Sequence, residues 1–147
     1  MKTIEAVLKT KGNSHCFVTP DSSVESALSL MAKEQVGALP VFESGKLVGI
    51  IYDKDCITSA LLDGKSIEEY RVKEIMTRKI INASTGQTIE ECLALMNENH
   101  IQYLPVLADI SFEGLVSMSD LFKSIVDDQK EYIYRLENYI FGFEYGR

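Results

Sequence analysis

Apolar residues fall in short blocks whose period changes along the chain, and the changes mark the elements. Ile4, Val7 and Leu8 share one helical face, with Thr3 placed as N-cap. Lys11-Gly12-Asn13-Ser14 breaks that helix, and Cys16-Phe17-Val18 reads as a short strand that stops at Pro20. Ser22 followed by Glu25 is a capping-box signature. It opens a helix with Val24, Ala27, Leu28, Leu30 and Met31 on one face and Gly37 at its end. Ala38 to Phe42 predicts a strand, and Pro40 within it predicts an edge or an interrupted ladder. Glu43-Ser44-Gly45-Lys46 is hairpin-turn chemistry, and Leu47 to Ile51 is a strand buried on both faces. A helix over Asp53 to Leu62 and an exposed linker, Asp63-Gly64-Lys65-Ser66, complete the unit.

The plan then recurs. Val72 to Met76 predicts a short helix and Ile80-Ile81-Asn82-Ala83 a strand. Thr88 with Glu91 is a second capping box, and Ile89, Cys92, Leu93, Leu95 and Met96 give the helix. Tyr103 to Leu107 is a strand, Asp109 to Ser111 a turn, and Phe112 to Val116 a last strand. At an offset of sixty-five residues, Leu28, Met31, Leu39, Pro40, Val41, Gly49 and Asp55 meet Leu93, Met96, Leu104, Pro105, Val106, Gly114 and Asp120. One such unit alone buries too little apolar area to be stable. Two are expected to pack sheet to sheet about a pseudo-two-fold axis, which generates two equivalent clefts.

Each unit ends at a strand-to-helix corner. The second corner, Gly114-Leu115-Val116-Ser117-Met118-Ser119-Asp120, offers a hydroxyl and a carboxylate three residues apart, a pairing suited to a phosphate and a sugar diol. Ser119 or Asp120 is placed to cap the following helix. The first corner, Gly49-Ile50-Ile51-Tyr52-Asp53-Lys54-Asp55, keeps the glycine and the final Asp. It puts a Tyr in place of the Ser and adds Asp53, whose charge opposes an anion.

Composition narrows the chemistry. With 147 residues, 46% hydrophobic and 25% charged, the chain has the makings of one ordinary domain or two very small ones. A net charge of −7 argues against nucleic acid and against an anionic membrane surface. The N-terminal residues lack the plan of a signal peptide, and no apolar run has the length of a membrane span. Cys16, Cys56 and Cys92 are odd in number, far apart and apolar in context, so they read as free thiols in a reducing cytoplasm, with no metal site. His15 and His100 have no oriented partner, and there is no P-loop or nucleophile–base pair, so no catalytic residue is assigned and the chain is expected not to be an enzyme.

In the order and spacing of Pro20-Asp21-Ser22-Ser23-Val24-Glu25-Ser26-Ala27-Leu28, Gly37-Ala38-Leu39-Pro40-Val41 and the two corner motifs, the chain resembles the CBS-domain family. It is most similar to a stand-alone Bateman module, a tandem pair of CBS motifs. The resemblance covers roughly residues 1–126, with motifs at 1–65 and 66–126 and a helical extension at 127–147. It implies an α/β (α+β) fold: two β-α-β-β-α motifs packed sheet to sheet with pseudo-two-fold symmetry, plus a long C-terminal helix. It further implies a regulatory module that senses AMP, ADP, ATP or S-adenosylmethionine, with the adenine nucleotide as regulatory ligand and no other cofactor. Carried to matching positions, Asp120 would accept from the ribose hydroxyls and Ser117 would face the phosphate. Ile80, Ile81 and Ala83, with Tyr103 and Leu104, would hold the adenine. Lys54 would reach across from the first corner to supply charge, with Arg78 and Lys79 as other candidates. Asp55 and Tyr52 mark a weaker first site.

Beyond the second corner, Val126, Gln129, Ile133, Leu136, Ile140 and Phe143 fall on a heptad with one polar exception. The two motifs are complete before this stripe ends, so it needs another surface, and Gly142 is placed to stop the helix. A homodimer is expected, with an unidentified effector protein as a further partner. The competing reading is a structural dimerisation protein with vestigial clefts.

Overall fold

The computed structural model of the chain describes residues 2–12 and 16–141. His15, Gly142 and Phe143 lie outside the described residues. Helix α1 (Ile4–Lys11) opens the chain, and α2 (Val24–Glu34) follows after a loop. The cap of α2 is Ser23, one residue later than the Ser22–Glu25 spacing predicts. Ser23 Oγ accepts the Ser26 N–H at 3.1 Å, while Ser22 Oγ is turned to Thr19. Extended backbone at Ser23, held by a bridge to Arg71, decides the register. Gln35, left-handed at φ 57, ends α2 in place of Gly37.

Strands β1 (Ala38–Glu43) and β2 (Lys46–Tyr52) form an antiparallel hairpin. Its two turn residues, Ser44 and Gly45, both have positive φ (52 and 77), as the tight turn that matches strand twist requires. Only the C-terminal half of β2, Gly49 to Tyr52, is fully buried. Helix α3 (Asp53–Asp63) leaves β2 without a break, and α4 (Val72–Ile75) follows a single 3-10 turn at Ile67–Glu69. The strand expected over Ile80–Ala83 is shorter and later, β3 (Ala83–Ser84). Thr88 and Glu91 make the predicted reciprocal cap on α5 (Ile89–Asn99). Strands β4 (Tyr103–Ala108) and β5 (Ser111–Ser117) form the second hairpin, and α6 (Met118–Phe141) ends the described chain.

The two sheets are β1-β2 and β3-β4-β5. In the first unit the expected strand before Pro20 is reduced to one bridge, Val18 to Val41; its counterpart in the second is the pairing of Ala83 with Val106. Both hairpins carry a register shift at the equivalent step, Val41/Phe42 and Val106/Leu107. This is a mixed helix–strand fold with two repeated units and a C-terminal helix.

The cores of the two units are built crosswise. Val24, Met31, Leu39 and Ile51 of the first unit pack with Val72 and Ile75 from α4 and with Met76 just after it. Cys92, Met96, Leu104, Val116 and Leu121 of the second pack with Ile4 and Val7 from α1. The backbone confirms the exchange: Ile4 donates to the Gln87 carbonyl at 2.8 Å and Val72 to the Ser22 carbonyl at 2.9 Å. Helices of eight and four residues are not stable alone. Each is held by an apolar seat beside the other unit's second hairpin strand, where a glycine lets it close in. A Cβ at Gly114 would stand 2.8 Å from Leu8 Cδ2, and one at Gly49 would stand 2.9 Å from the Thr77 carbonyl oxygen. A third cluster, Ala38, Ile50 and Tyr52 with Ile80, Ile101, Tyr103 and Leu115, joins the two hairpins.

Candidate functional site

At the second corner the helix starts earlier than Ser119 or Asp120 would set it. Ser117 is the cap: its Oγ accepts the Asp120 N–H at 3.0 Å, and Asp120 Oδ2 accepts the Ser117 N–H at 2.9 Å. This reciprocal box satisfies two groups at the start of α6. It also fixes the hydroxyl and the carboxylate relative to each other before any ligand arrives.

The cation at this corner is Lys11, which sequence reasoning missed. Its Nζ lies 2.8 Å from Asp120 Oδ2 and donates to the Leu115 carbonyl at 2.8 Å. Lys54, expected to fill that place, is turned elsewhere. Its Nζ donates to the His100 carbonyl at 3.0 Å and stands 5.7 Å from the centre of the Tyr52 ring. His100 closes α5 in a left-handed conformation, so Lys54 meets the negative end of that helix. Arg78 and Lys79 are exposed, and they follow Thr77, whose backbone pairs with Ile50 of the first unit. The crossing of the short helices explains both results. Lys11 ends the helix seated on the second unit, and Lys79 follows the helix seated on the first.

Burial pushes the Asp120 carboxyl up, but the bonds from Lys11 and from the Ser117 N–H outweigh it and leave Asp120 below its ordinary 3.8. Asp120 is therefore an anion at neutral pH. Its Oδ1 takes none of these bonds and remains an acceptor.

Lys11, Glu113 and Leu115 line a cleft of about 170 Å³ whose opposite wall comes from the first unit: Glu34 with Cys16, Val36, Ala38, Leu39 and Pro40. Cys16, Pro40 and Phe112 also border a wider groove of about 1060 Å³ that runs between the two hairpin turns. Small-molecule sites span roughly 300–1,000 Å³, so the narrow cleft has room for part of a nucleotide-sized ligand and the groove for the rest.

The residues expected to hold an adenine beside Asp120 are divided. Ile80 lines the groove. Ile81 is half-buried against the second core, and Ala83 and Leu104 are completely buried within it, so they support the wall from behind. The Tyr103 hydroxyl accepts the Gly37 N–H at 2.8 Å, and Tyr103 packs with Ile80, Ala38 and Tyr52, at the first corner. The wall that faces the second corner instead includes Cys16, Ala38 and Leu39. These stand sixty-five residues before Ile81, Tyr103 and Leu104. A pseudo-two-fold arrangement sets each corner against the other unit's apolar wall, which the repeat offset could have indicated.

The first corner has no equivalent box. Tyr52 caps α3 through its backbone alone, its ring is buried, and its hydroxyl is pushed up to about 12 by burial and by Asp55. Asp55 is half-buried, and the Asp53 N–H donates to the Gly37 carbonyl at 2.9 Å. Among the described residues, no group of three His, Cys, Asp or Glu side chains is placed to hold a metal, and no helix is long and apolar enough to cross a membrane.

The comparisons with known proteins agree with this architecture. The CBS-domain profile matches residues 13–61 and 72–127. The mitochondrial CBS domain-containing protein CBSX3 of Arabidopsis thaliana is 33% identical over 149 residues, covering 95% of this chain and 72% of that protein. The crystal structure of the CBS domain NE2398 is 39% identical with a TM-score of 0.81, covering 86% of this chain and 99% of that one. The CBS domain pair of protein MJ0100 is 27% identical with a TM-score of 0.70, covering 86% and 98%. With the family profile matched twice, once over each repeated unit, this chain belongs to the CBS-domain family.

Proposed function

We propose that the chain is a regulatory module that binds an adenosine-containing ligand in the cleft of its second corner and passes the bound state to a partner. The observation that carries the reading is an ionised carboxylate, locked by its own capping box and paired at 2.8 Å with Lys11, which lines a cleft whose opposite wall is apolar apart from Glu34. Asp120 Oδ1 accepts from the ribose, Ser117 stands toward the phosphate, and the wall from Val36 to Pro40, opening toward Ile80, receives the adenine. The MJ0100 domain pair was crystallised in complex with 5′-methylthioadenosine and S-adenosyl-L-methionine, which supports a ligand of this class. The first corner, with Tyr52 buried in place of a hydroxyl, is the weaker site, and Asp55 with Lys54 is what it has to offer. Binding rather than catalysis is the role.

Ligand shifts the relation of the two units only if it binds one arrangement better than the other. The crossed helices provide the link, because each unit holds a segment of its neighbour. Isothermal titration with AMP, ADP, ATP and S-adenosylmethionine tests the reading: at least one binds, and Asp120→Ala abolishes it. No heat and no thermal shift at millimolar concentrations of all four refutes it.

A homodimer is part of the proposal. Ile57 and Leu61 on α3 stand sixty-five residues before Phe122 and Val126 on α6, and all four are exposed. Ile133, Leu136 and Ile140 extend an exposed apolar series along α6. That series also favours the second reading, a dimerisation protein with idle clefts, for which the titrations would be silent while the dimer persists. We place the chain in a reducing compartment, the cytoplasm or one equivalent to it, where its cysteines stay as thiols.

A further inference from the structure

The reading above leaves the ligand's 5′ substituent open, and the environment of Lys11 bears on it. Lys11 belongs to neither corner motif. It reaches the second corner only because α1 is seated on the second unit, with Ile4 and Val7 in that core and Leu8 against Gly114. An ammonium group has three donors. Two are spent on the Leu115 carbonyl and Asp120 Oδ2, which leaves one N–H. The side chain is 29% exposed and lines the narrow cleft. The pair therefore stays in place when a ribose approaches Asp120 Oδ1, and the remaining N–H is on offer to whatever the sugar carries.

We propose that Lys11 is the specificity-determining residue of this cleft and selects ligands with an anionic 5′ group, the adenosine phosphates, over adenosines whose 5′ substituent is neutral or cationic. This rests on the reading of the second corner as an adenosine site. Its physical basis is the charge balance. Asp120, the chain's net charge of −7 and the two carboxylates that line the cleft, Glu34 and Glu113, disfavour a phosphate, and the other cations considered do not stand at this corner. Among the described residues that line this cleft, Lys11 is the one whose charge favours a phosphate there, and it gives nothing to a thioether. A sulfonium would meet like charge.

The test compares AMP with 5′-methylthioadenosine, which share adenine and ribose and differ at the 5′ position. Each is titrated calorimetrically into wild type, Lys11→Met, Lys11→Arg and Asp120→Ala. Wild type binds AMP more tightly. Lys11→Met weakens AMP by about ten- to a hundred-fold, the range of one lost charge-assisted hydrogen bond, and moves 5′-methylthioadenosine by less than about three-fold. Lys11→Arg keeps the preference for AMP, and that preference falls as salt rises. Equal loss of both ligands in Lys11→Met, or an unchanged AMP affinity, overturns the role of Lys11 while the adenosine site stands. Binding of neither ligand by wild type overturns the site itself and this inference with it. Thermal melts of each variant separate a loss of folding from a loss of affinity, and the Arg variant, which keeps the seat of α1, distinguishes charge from packing.

Discussion

The crossed helices make a sharp prediction at Gly49. A methyl group there would stand 2.9 Å from the Thr77 carbonyl oxygen and 3.0 Å from Met76 Sδ. The sulfur is the mobile part of a flexible side chain, but the carbonyl is backbone. It accepts the Ile50 N–H at 3.0 Å, and the Thr77 N–H donates to the Ile50 carbonyl at 2.8 Å. Gly49→Ala must therefore push the segment after α4 off β2. Overpacking of this kind costs ~1–3 kcal/mol, and stretching the two hydrogen bonds adds up to about 1 kcal/mol each. The stiffer unfolded chain returns ~0.4–1 kcal/mol, which leaves a net loss of about 2 kcal/mol. For a chain of this size that lowers Tm by about 4–8 °C. Gly86→Ala is the control. Beyond its chain neighbours, no atom stands within 4 Å of where a Cβ at Gly86 would lie, so only the unfolded-state effect acts and Tm holds or rises slightly. Differential scanning calorimetry of the two variants reads both signs. If Gly49→Ala melts with wild type, the segment after α4 does not press on β2, and the close seating of that crossed helix on the first unit fails with it.

Four further outcomes follow from the same structure. Ser117→Ala removes the acceptor of the Asp120 N–H and costs about 1 kcal/mol in urea unfolding, while Asp120, held below its ordinary 3.8, contributes stability that is full above that value and fades as pH falls through its lower folded value. Asp120→Asn should accordingly flatten the acid loss of stability in that window. Truncation after Asp127 removes most of the exposed series on α6 and should leave a monomer by light scattering, whereas an unchanged mass would place the dimer contact elsewhere or nowhere. Burial raises the Cys56 and Cys92 thiols to about 11, so neither should react with a thiol reagent at about pH 8 until the protein is unfolded.

Much of the fold was legible in the residues. The repeat, the two hairpins, the Thr88–Glu91 cap and the long last helix follow from local periodicity and turn chemistry, which act over a few residues. Smaller features were decided by geometry that the pattern does not carry. Ser22 and Ser23 are equally good caps in isolation, and the bridge from Ser23 to Arg71 chose between them. Ile80 and Ile81 are apolar enough for a strand, but the backbone after α4 is occupied by its pairing with β2, so the ladder begins only at Ala83.

The candidate site divides in the same way. The sequence alone determined that a hydroxyl and a carboxylate stand at a strand-to-helix corner, that the second copy keeps the hydroxyl and that the first copy replaces it with a ring. Those are properties of neighbouring residues. Only the tertiary structure decided what faces them. Lys11 is more than a hundred residues from Asp120 in the chain, and the wall from Val36 to Pro40 is eighty away. Both arrive through packing of apolar faces, Leu8 into the space left by Gly114 and one hairpin against the other. Apolar burial is non-directional and carries no signature of its partner. A periodic stripe therefore says that a helix will be covered, and not by which unit.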